Sequence, residues 1–594
     1  MQYNTLIIGS GCAGFNAADC LYDLGVKNIA LITEGINMGT SRNTGSDKQT
    51  YYKLTLAGEE PDSVYEMART LFDGGAVHGD IALTEAACSA TAFMKLVQLG
   101  LPFPANRYGA FVGYKTDHDP RQRATSCGPL TSKLMTEALE NSVNSKGITI
   151  LDNSQVVKLL TSDNQIRGLV LLKDGEYQTL YAQNIILATG GPAGIYHNVV
   201  YPASQTGGTG LALDAGAMAV NLQEWQYGLA SIDFRWNVSG TYQQVLPRYI
   251  SIDEDGKEHE FLPDYFDNPI EALDMVFLKG YQWPFDTLKV GGSSRVDLAV
   301  AAETGEKGRK VYMDFRQNPI GLDFAKLAPE TYDYLKNSDA LFGTPIERLA
   351  KMNPKAIDLY KNNGIDIFKE PLRVAVCAQH CNGGIAVDAN WESSVKGLYV
   401  VGEAAGTFGV YRPGGSALNS TQVGAMRAAE SVFRKTSKKN KIVDEPIKFN
   451  PSAVVGEYEQ IYNREETCQA MSLHAAYVRN SDEMKKLHTK LCQLRDNFFE
   501  ENSVQSKAAL PQLYKNYDIL LTQIAILSAM IFSAKNIGTR GGALVDSHMQ
   551  SDEKHMDKVI NTHHNGESYF EQVRPLPPCD DWFEKVWAER ENRI

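Results

Sequence analysis

Gly9-Ser10-Gly11-Cys12-Ala13-Gly14 is the first stretch of this chain whose residue types and spacing could do chemistry. Gly9 permits a tight turn, Gly11 lets backbone N–H groups approach a pyrophosphate, and Gly14 lets a helix pack closely on a strand. Cys12 and Ala13 complete the loop. Glu34 follows at the distance where a carboxylate can accept hydrogen bonds from ribose hydroxyls. Glycine spacing alone is weak, because glycines mark turns of many kinds. Here an apolar run, Thr5–Ile8, precedes the loop, a helix-like stretch follows to Gly25, and a second apolar run, Asn28–Thr33, ends at Glu34. Together they predict a strand–helix–strand unit that binds a dinucleotide.

Other elements must position the rest. Ile148–Leu151, Gln155–Leu160, Gln165–Leu172 and Glu176–Ala182 alternate, with turns at Asp163-Asn164 and Asp174-Gly175, and predict a small antiparallel sheet. An apolar strand, Asn184–Ala188, then runs into Thr189-Gly190-Gly191. From Leu229 to Leu372 aromatics and prolines replace strand–helix alternation, which predicts an inserted domain. Gly397–Gly402 reads as a buried strand leading to a glycine-rich loop and a helix from about Ser416. The Lys/Ser run Lys435–Lys441 reads as a solvated linker, and helical patterning dominates beyond it. The expected boundaries are 1–228 and 373–440 for one dinucleotide-binding domain, 229–372 for the insertion and 441–594 for a mainly helical C-terminal domain.

Composition narrows the class. The 594 residues are 43% hydrophobic and 22% charged, ordinary globular usage. A net charge of −13 argues against a nucleic-acid partner, which would call for a basic face. The nine cysteines include no CxxC pair, so neither a metal site nor an iron–sulfur cluster is expected, and scattered thiols suit a cytoplasmic protein. Only four residues precede the first apolar run, too few for a signal peptide. The longest apolar stretch, Ile519–Phe532, is interrupted by Thr522, Gln523 and Ser528. It reads as a buried helix, without membrane insertion.

Several longer segments carry a family likeness. GSGCAG at 9–14, ILATGG at 186–191, GGTGLALDAGA at 207–217, CNGGIAVD at 381–388 and GLYVVGEAAGTFGVYRPGGSALNSTQVG at 397–424 resemble the flavoprotein subunits of fumarate reductase, succinate dehydrogenase, L-aspartate oxidase and adenylylsulfate reductase. TRGG at 539–542 resembles that family's late arginine–glycine turn. The resemblance implies an α/β fold: a Rossmann-like FAD-binding domain, an inserted α+β capping domain and a C-terminal helical domain. It implies FAD held by Gly9, Gly11, Cys12, Ala13, Gly14, Glu34, Ser41, Arg42, Asn43, Thr44, Ala188, Thr189, Gly190, Glu403, Ser416 and Leu418. Arg42 stands where membrane-complex members carry the histidine that attaches the flavin, so non-covalent FAD is expected.

The same resemblance implies hydride transfer between flavin N5 and a small organic substrate. Arg412, before Gly414-Gly415, matches the substrate-clamping arginine, and an arginine's planar fork suits a carboxylate. Arg295, in Gly292-Ser293-Ser294-Arg295-Val296-Asp297, matches the proton-donating arginine, with Arg235 and Arg248 as rivals. Departures from the family pattern touch the substrate. Trp225 and Tyr227 occupy the segment that supplies a histidine and a threonine, Gln379 holds another histidine position with His380 one place late, either a catalytic substitute for it or a packing residue, and Tyr411 replaces an asparagine. These replacements predict that neither fumarate nor succinate is the physiological substrate, and that an aromatic ring or sugar face meets Trp225 and Tyr227. One dinucleotide fingerprint and no cluster ligands predict electrons from a separate protein, such as a ferredoxin-like subunit, or from a reduced free flavin. Two further readings stand beside this one: an adenylylsulfate-reductase-like subunit, and a flavin electron carrier with no substrate of its own.

Overall fold

The computed structural model describes residues 2–58, 61–436, 449, 454–455, 462–546, 554–578 and 582–589. The apolar run at the N-terminus forms the strand Gln2–Ile8, central in a parallel sheet. Ile29–Ile32 pairs with it on one side and Glu176–Leu187 on the other. Leu398–Val400 adds in parallel beyond Glu176–Leu187. Residues 5–8, 29–32, 184–187 and 398–400 of these strands are buried on both faces, as expected for a parallel sheet covered by helices. The helix Cys12–Asp23 packs between Thr131–Ser145 and Ser416–Thr436, with Asn16 Nδ2 donating to Gln422 O at 3.0 Å.

The predicted four-stranded antiparallel sheet needs correction. Only Gln155–Ser162, Gln165–Lys173 and the first half of Glu176–Leu187 form a meander. Thr149–Leu151 instead extends the parallel sheet at Ile29–Ile32. The helix Thr131–Ser145 precedes it, so the chain returns in the parallel sense to the free sheet edge. Asn184–Ala188 is no separate strand: residues 184–187 continue the strand that begins at Glu176.

A second, six-stranded sheet is antiparallel throughout. Its order is Trp236–Asn237, Trp225–Ser231, Leu372–Cys381, Lys310–Asp314, Arg248–Ile252 and Glu258–Glu260. The chain enters on Trp225–Ser231 and leaves on Leu372–Cys381, so residue 228 lies within a strand of this sheet. Between those strands the register slips: Gln226 faces His380 but Tyr227 faces Ala378, leaving Gln379 unpaired in a bulge. The helices Pro269–Lys279 and Ser294–Ala301 accompany this sheet.

C-terminal to the core, the helices Arg464–His474, Ser481–Asp496 and Leu510–Asn536 are joined by a hairpin, Lys558–Thr562 with Ser568–Gln572. That hairpin pairs back with Ala219–Val220. The apolar segment Ile519–Phe532 lies within the helix Leu510–Asn536, which has the length and composition to cross a membrane. Its most apolar window is 67% buried inside the protein. The expected linker needs correction at its start, since Lys435 and Thr436 end the helix Ser416–Thr436 and Lys435 pairs with Glu392 at 2.5 Å; residues 437–441 and the boundary at 440 lie outside the described residues.

Buried carboxyls leave a pH signature in this core. Burial pushes Glu85, on the helix Gly79–Gln98, up from 4.5 to about 7, even though Ser420 Oγ donates to it at 2.6 Å. A carboxyl raised on folding binds more protons folded than unfolded. Its contribution is therefore complete below about 4.5 and is lost as pH rises through about 7. Glu85→Gln removes that loss, worth at most about 3 kcal/mol. Thermal unfolding from pH 5 to pH 8 is expected to fall less steeply in this variant than in the parent. Parallel profiles would contradict the assignment.

Candidate active site

A cavity of about 1240 Å³ runs from the glycine turn of the parallel sheet to the six-stranded sheet. At the first end, the helix Cys12–Asp23 starts at Gly11 with no side-chain cap, so its positive end is open to an anion. Two glycines there are obligatory. A Cβ on Gly14 would lie 1.9 Å from Gly9 O, and one on Gly9, at φ +111°, would lie 2.4 Å from Ala188 O. Gly11 meets only Ser41 Oγ, at 3.1 Å, and leaves the backbone accessible. Glu34 borders the cavity at the end of the second strand, paired with Lys515 at 2.5 Å.

Most of the expected cofactor residues converge here. Gly9, Gly11, Cys12, Ala13, Glu34, Ser41, Thr44, Ala188, Thr189, Gly190, Glu403 and Leu418 all line the cavity. Thr189 Oγ1 is buried without a partner, as a ligand-directed hydroxyl would be. Burial pushes Glu403 up to about 7, although Tyr201 Oη and Cys381 N donate to it. Gln205, which no sequence signal marked, braces the turn by donating from Nε2 to Thr189 O at 2.5 Å.

Four expected residues do not border the cavity, and one of them, Gly14, backs the turn at Gly9 instead. Arg42 is ion-paired with Glu140, and Asn43 Nδ2 donates to Gly39 O at 2.9 Å; neither borders the cavity. Ser416 sits behind Arg412 on a separate void of about 10 Å³, the size of one water.

At the far end, Gln226, Trp283, Gln379, His380 and Arg412 come together. Arg412 Nη2 donates to Gln226 Oε1 at 2.7 Å, while Nη1 has no partner among the described residues. Burial lowers the guanidinium to about 10, against the pull of Glu403, so it stays charged at neutral pH. The bulge turns consecutive residues to the same cavity. Gln379 Oε1 accepts from Trp283 Nε1 at 2.7 Å, and His380, next along, bonds Asn382 through Nδ1 at 3.0 Å. His380 Nε2 is buried without a hydrogen-bond partner, 3.9 Å from Glu403 Oε1. Burial and the Arg412 charge hold this imidazole well below its ordinary range, hence neutral.

Trp225 and Tyr227 do not line the cavity. Successive strand residues face opposite sides, so Gln226 faces inward and its neighbours face away. Trp225 packs edge-on against Tyr196 at 5.1 Å, and Tyr227 Oη lies 3.0 Å from Tyr196 Oη. Tyr411 is likewise structural: its Oη donates to Arg540 O at 3.1 Å, in the Thr539–Gly542 turn. The tryptophan that lines the cavity is Trp283, from a segment with no recognisable motif.

Arg295 also misses the cavity. On the helix Ser294–Ala301 it is Asp297 that turns inward, to an ion pair with Lys279 at 2.5 Å. Arg295 stacks over the Phe266 ring at 4.8 Å. Arg248 is held by Asp314 and Glu258 at 2.8 and 2.7 Å, and Arg235 borders a different cavity. Arg295→Lys is therefore expected to keep turnover within about twofold of the parent. A loss of tenfold or more, with the fold intact, would restore its proton-transfer role.

Residues 4–418 match the family described as FAD binding domain. The chain belongs to that family. It is 26% identical over 447 residues to L-aspartate oxidase of Mesorhizobium japonicum, covering 72% of this chain and 74% of that one. It is 24% identical to a fumarate reductase (CoM/CoB) subunit of Methanothermobacter marburgensis, covering 83% and 85%. Among solved structures, a quinol-fumarate reductase chain superposes with TM-score 0.71 at 20% identity, over 98% of this chain and 99% of that one. Adenylylsulfate reductase from Archaeoglobus fulgidus gives 0.62 at 17%, over 98% and 97%. At those identities the superpositions carry the fold alone. The protein is thus an FAD-dependent oxidoreductase of the fumarate reductase and L-aspartate oxidase family, with FAD as its cofactor.

Proposed function

We propose that this flavoprotein oxidises or reduces a small organic acid carrying one carboxylate, anchored by Arg412, and that neither fumarate nor succinate is its physiological substrate. The observation that carries the reading is the company Arg412 keeps. Its Nη2 donates to the neutral amide of Gln226, and the groups that share this end of the cavity are a second amide, Gln379, bonded to Trp283, and a neutral His380. One guanidinium can neutralise one carboxylate. A second carboxylate among neutral groups would lose several kcal/mol of hydration without a charged partner.

The FAD supplies hydride transfer at N5. The chain supplies the rest: Gly9, Gly11 and Ala13 for the pyrophosphate, Glu34 for the ribose, Arg412 for the substrate carboxylate, and the Trp283 face against its apolar part. Arg42 is committed to Glu140 and does not border the cofactor cavity, which supports a non-covalent cofactor. Electrons come from a separate redox protein or a reduced free flavin, since the single dinucleotide fingerprint is taken by FAD.

Anaerobic reoxidation of the photoreduced flavin by a panel of alkenoic and keto acids tests the proposal. Monocarboxylates are expected to turn over and fumarate to be poor. Turnover of fumarate with low-millimolar or tighter saturation would overturn the substrate reading. In the same preparation acid should release the yellow flavin into the supernatant, and flavin retained on the denatured chain would overturn non-covalent binding.

A further inference from the structure

We propose a second ligand site, outside the cofactor cavity, that binds a phosphomonoester with a hydroxylated body. A cavity of about 500 Å³ opens where three parts of the chain meet. The loop after the strand Glu176–Leu187 brings His197 and Gln205, the six-stranded sheet brings Arg235, and the C-terminal helices bring Arg464, Gln512 and Asn516.

The two arginines define its chemistry. Neither Arg235 nor Arg464 has a carboxylate within ion-pair distance among the described residues, so neither charge is already neutralised by an acid. Arg235 Nη1 donates to Tyr201 O at 2.9 Å. Burial and the Arg464 charge hold its guanidinium below the ordinary value, so the two cations feel one another. Like charges brought together in a partly buried cavity cost free energy that an anion between them returns. Arg464 opens the helix Arg464–His474, whose N-terminus is already capped by Asn463, so the positive charge here is that of the arginines themselves.

The one acid on the wall is already engaged. Glu465 pairs with His197 at 2.7 Å and accepts from Gln469 at 2.9 Å, and it is largely exposed. Two planar guanidinium forks from different elements suit a tetrahedral dianion, which offers three terminal oxygens, better than a planar carboxylate. The volume exceeds a bare phosphate, and the amides of Gln205, Gln512 and Asn516 are suited to hydroxyl groups. Gln205 also joins this site to the cofactor turn, since the same Nε2 bonds Thr189 O and Gly191 O. Occupancy is therefore felt at the FAD.

Calorimetry on the FAD-loaded full chain at low salt, with glycerol phosphate, inorganic phosphate and glycerol, tests the site. Glycerol phosphate is expected to bind with a Kd on the order of 1 mM or tighter, inorganic phosphate more weakly and glycerol not at all. Flavin fluorescence should change in step with occupancy. Arg235→Ala and Arg464→Ala should each weaken binding about tenfold or more, and Glu465→Gln, which removes the opposing carboxylate, should tighten it severalfold. Arg464 is only half-buried, so its variant keeps the test sound if Arg235→Ala fails to fold. No binding by either phosphate compound, equal binding of glycerol, or unchanged affinity in both arginine variants would overturn the proposal.

Discussion

Arg412→Ala is expected to lower kcat/KM for the best acceptor of the reoxidation panel by about 30-fold to several thousand-fold. Truncating one partner of a buried charged contact costs about 2–5 kcal/mol, and each 1.4 kcal/mol is about a factor of ten. The loss should fall mainly in KM, because a carboxylate anchor acts in the ground state as well as the transition state. Arg412→Lys should recover only part of it, since an ammonium carries the charge without the fork that bonds Gln226 on one arm and leaves Nη1 free. Gln226→Ala separates anchoring from orientation. It keeps the charge but frees the guanidinium, and should cost less than the loss of Arg412 itself. Equal kinetics in Arg412→Ala and the parent, with FAD still bound, would remove Arg412 from the site.

Gly14→Ala is expected to yield protein with little or no bound FAD. Its Cβ would lie 1.9 Å from Gly9 O, a contact between backbone atoms that no side-chain rotation relieves. The helix Cys12–Asp23 would have to lift from the turn, withdrawing its N-terminus from the cavity. Overpacking of this kind costs about 1–3 kcal/mol or more of stability. The flavin-to-protein absorbance ratio and thermal unfolding read the two effects. Gly25→Ala is the control. Its φ of +96° is strained for alanine but nothing lies within 4 Å, so it should cost about 1 kcal/mol and keep FAD. Full FAD occupancy in Gly14→Ala would show that the close approach of helix and turn is dispensable.

Much of the cofactor end was legible in the chain because its signals are local. Glycines that tolerate no Cβ, a strand before them, a helix after and Glu34 at the end of the second strand are all fixed within a few tens of residues. The parallel sheet assembles them as written. Ser416 went astray because a helix start is easy to place in a sequence and its side-chain direction is not. Arg42 is turned away by Glu140, 98 positions on, which only folding brings near, and Asn43 by the backbone of its own turn at Gly39.

At the substrate end the sequence by itself determined which residue types were present, and the tertiary structure decided which of them face the cavity. Arg412 was legible because a long matching segment surrounds it. Trp225 and Tyr227 were the conspicuous residues of their strand, yet period-two alternation turns the plainer Gln226 inward, and the sign of that alternation is set by pairing with Leu372–Cys381. The bulge that leaves Gln379 unpaired also brings His380 to the wall, one place later than a regular strand would. Arg295 occupies a matching motif, but the helix spends its inward position on the Asp297–Lys279 pair. Trp283 and Gln205 had no local pattern at all. They act on the site through contacts with residues 96 and 16 positions away in sequence, a separation only the folded chain can close.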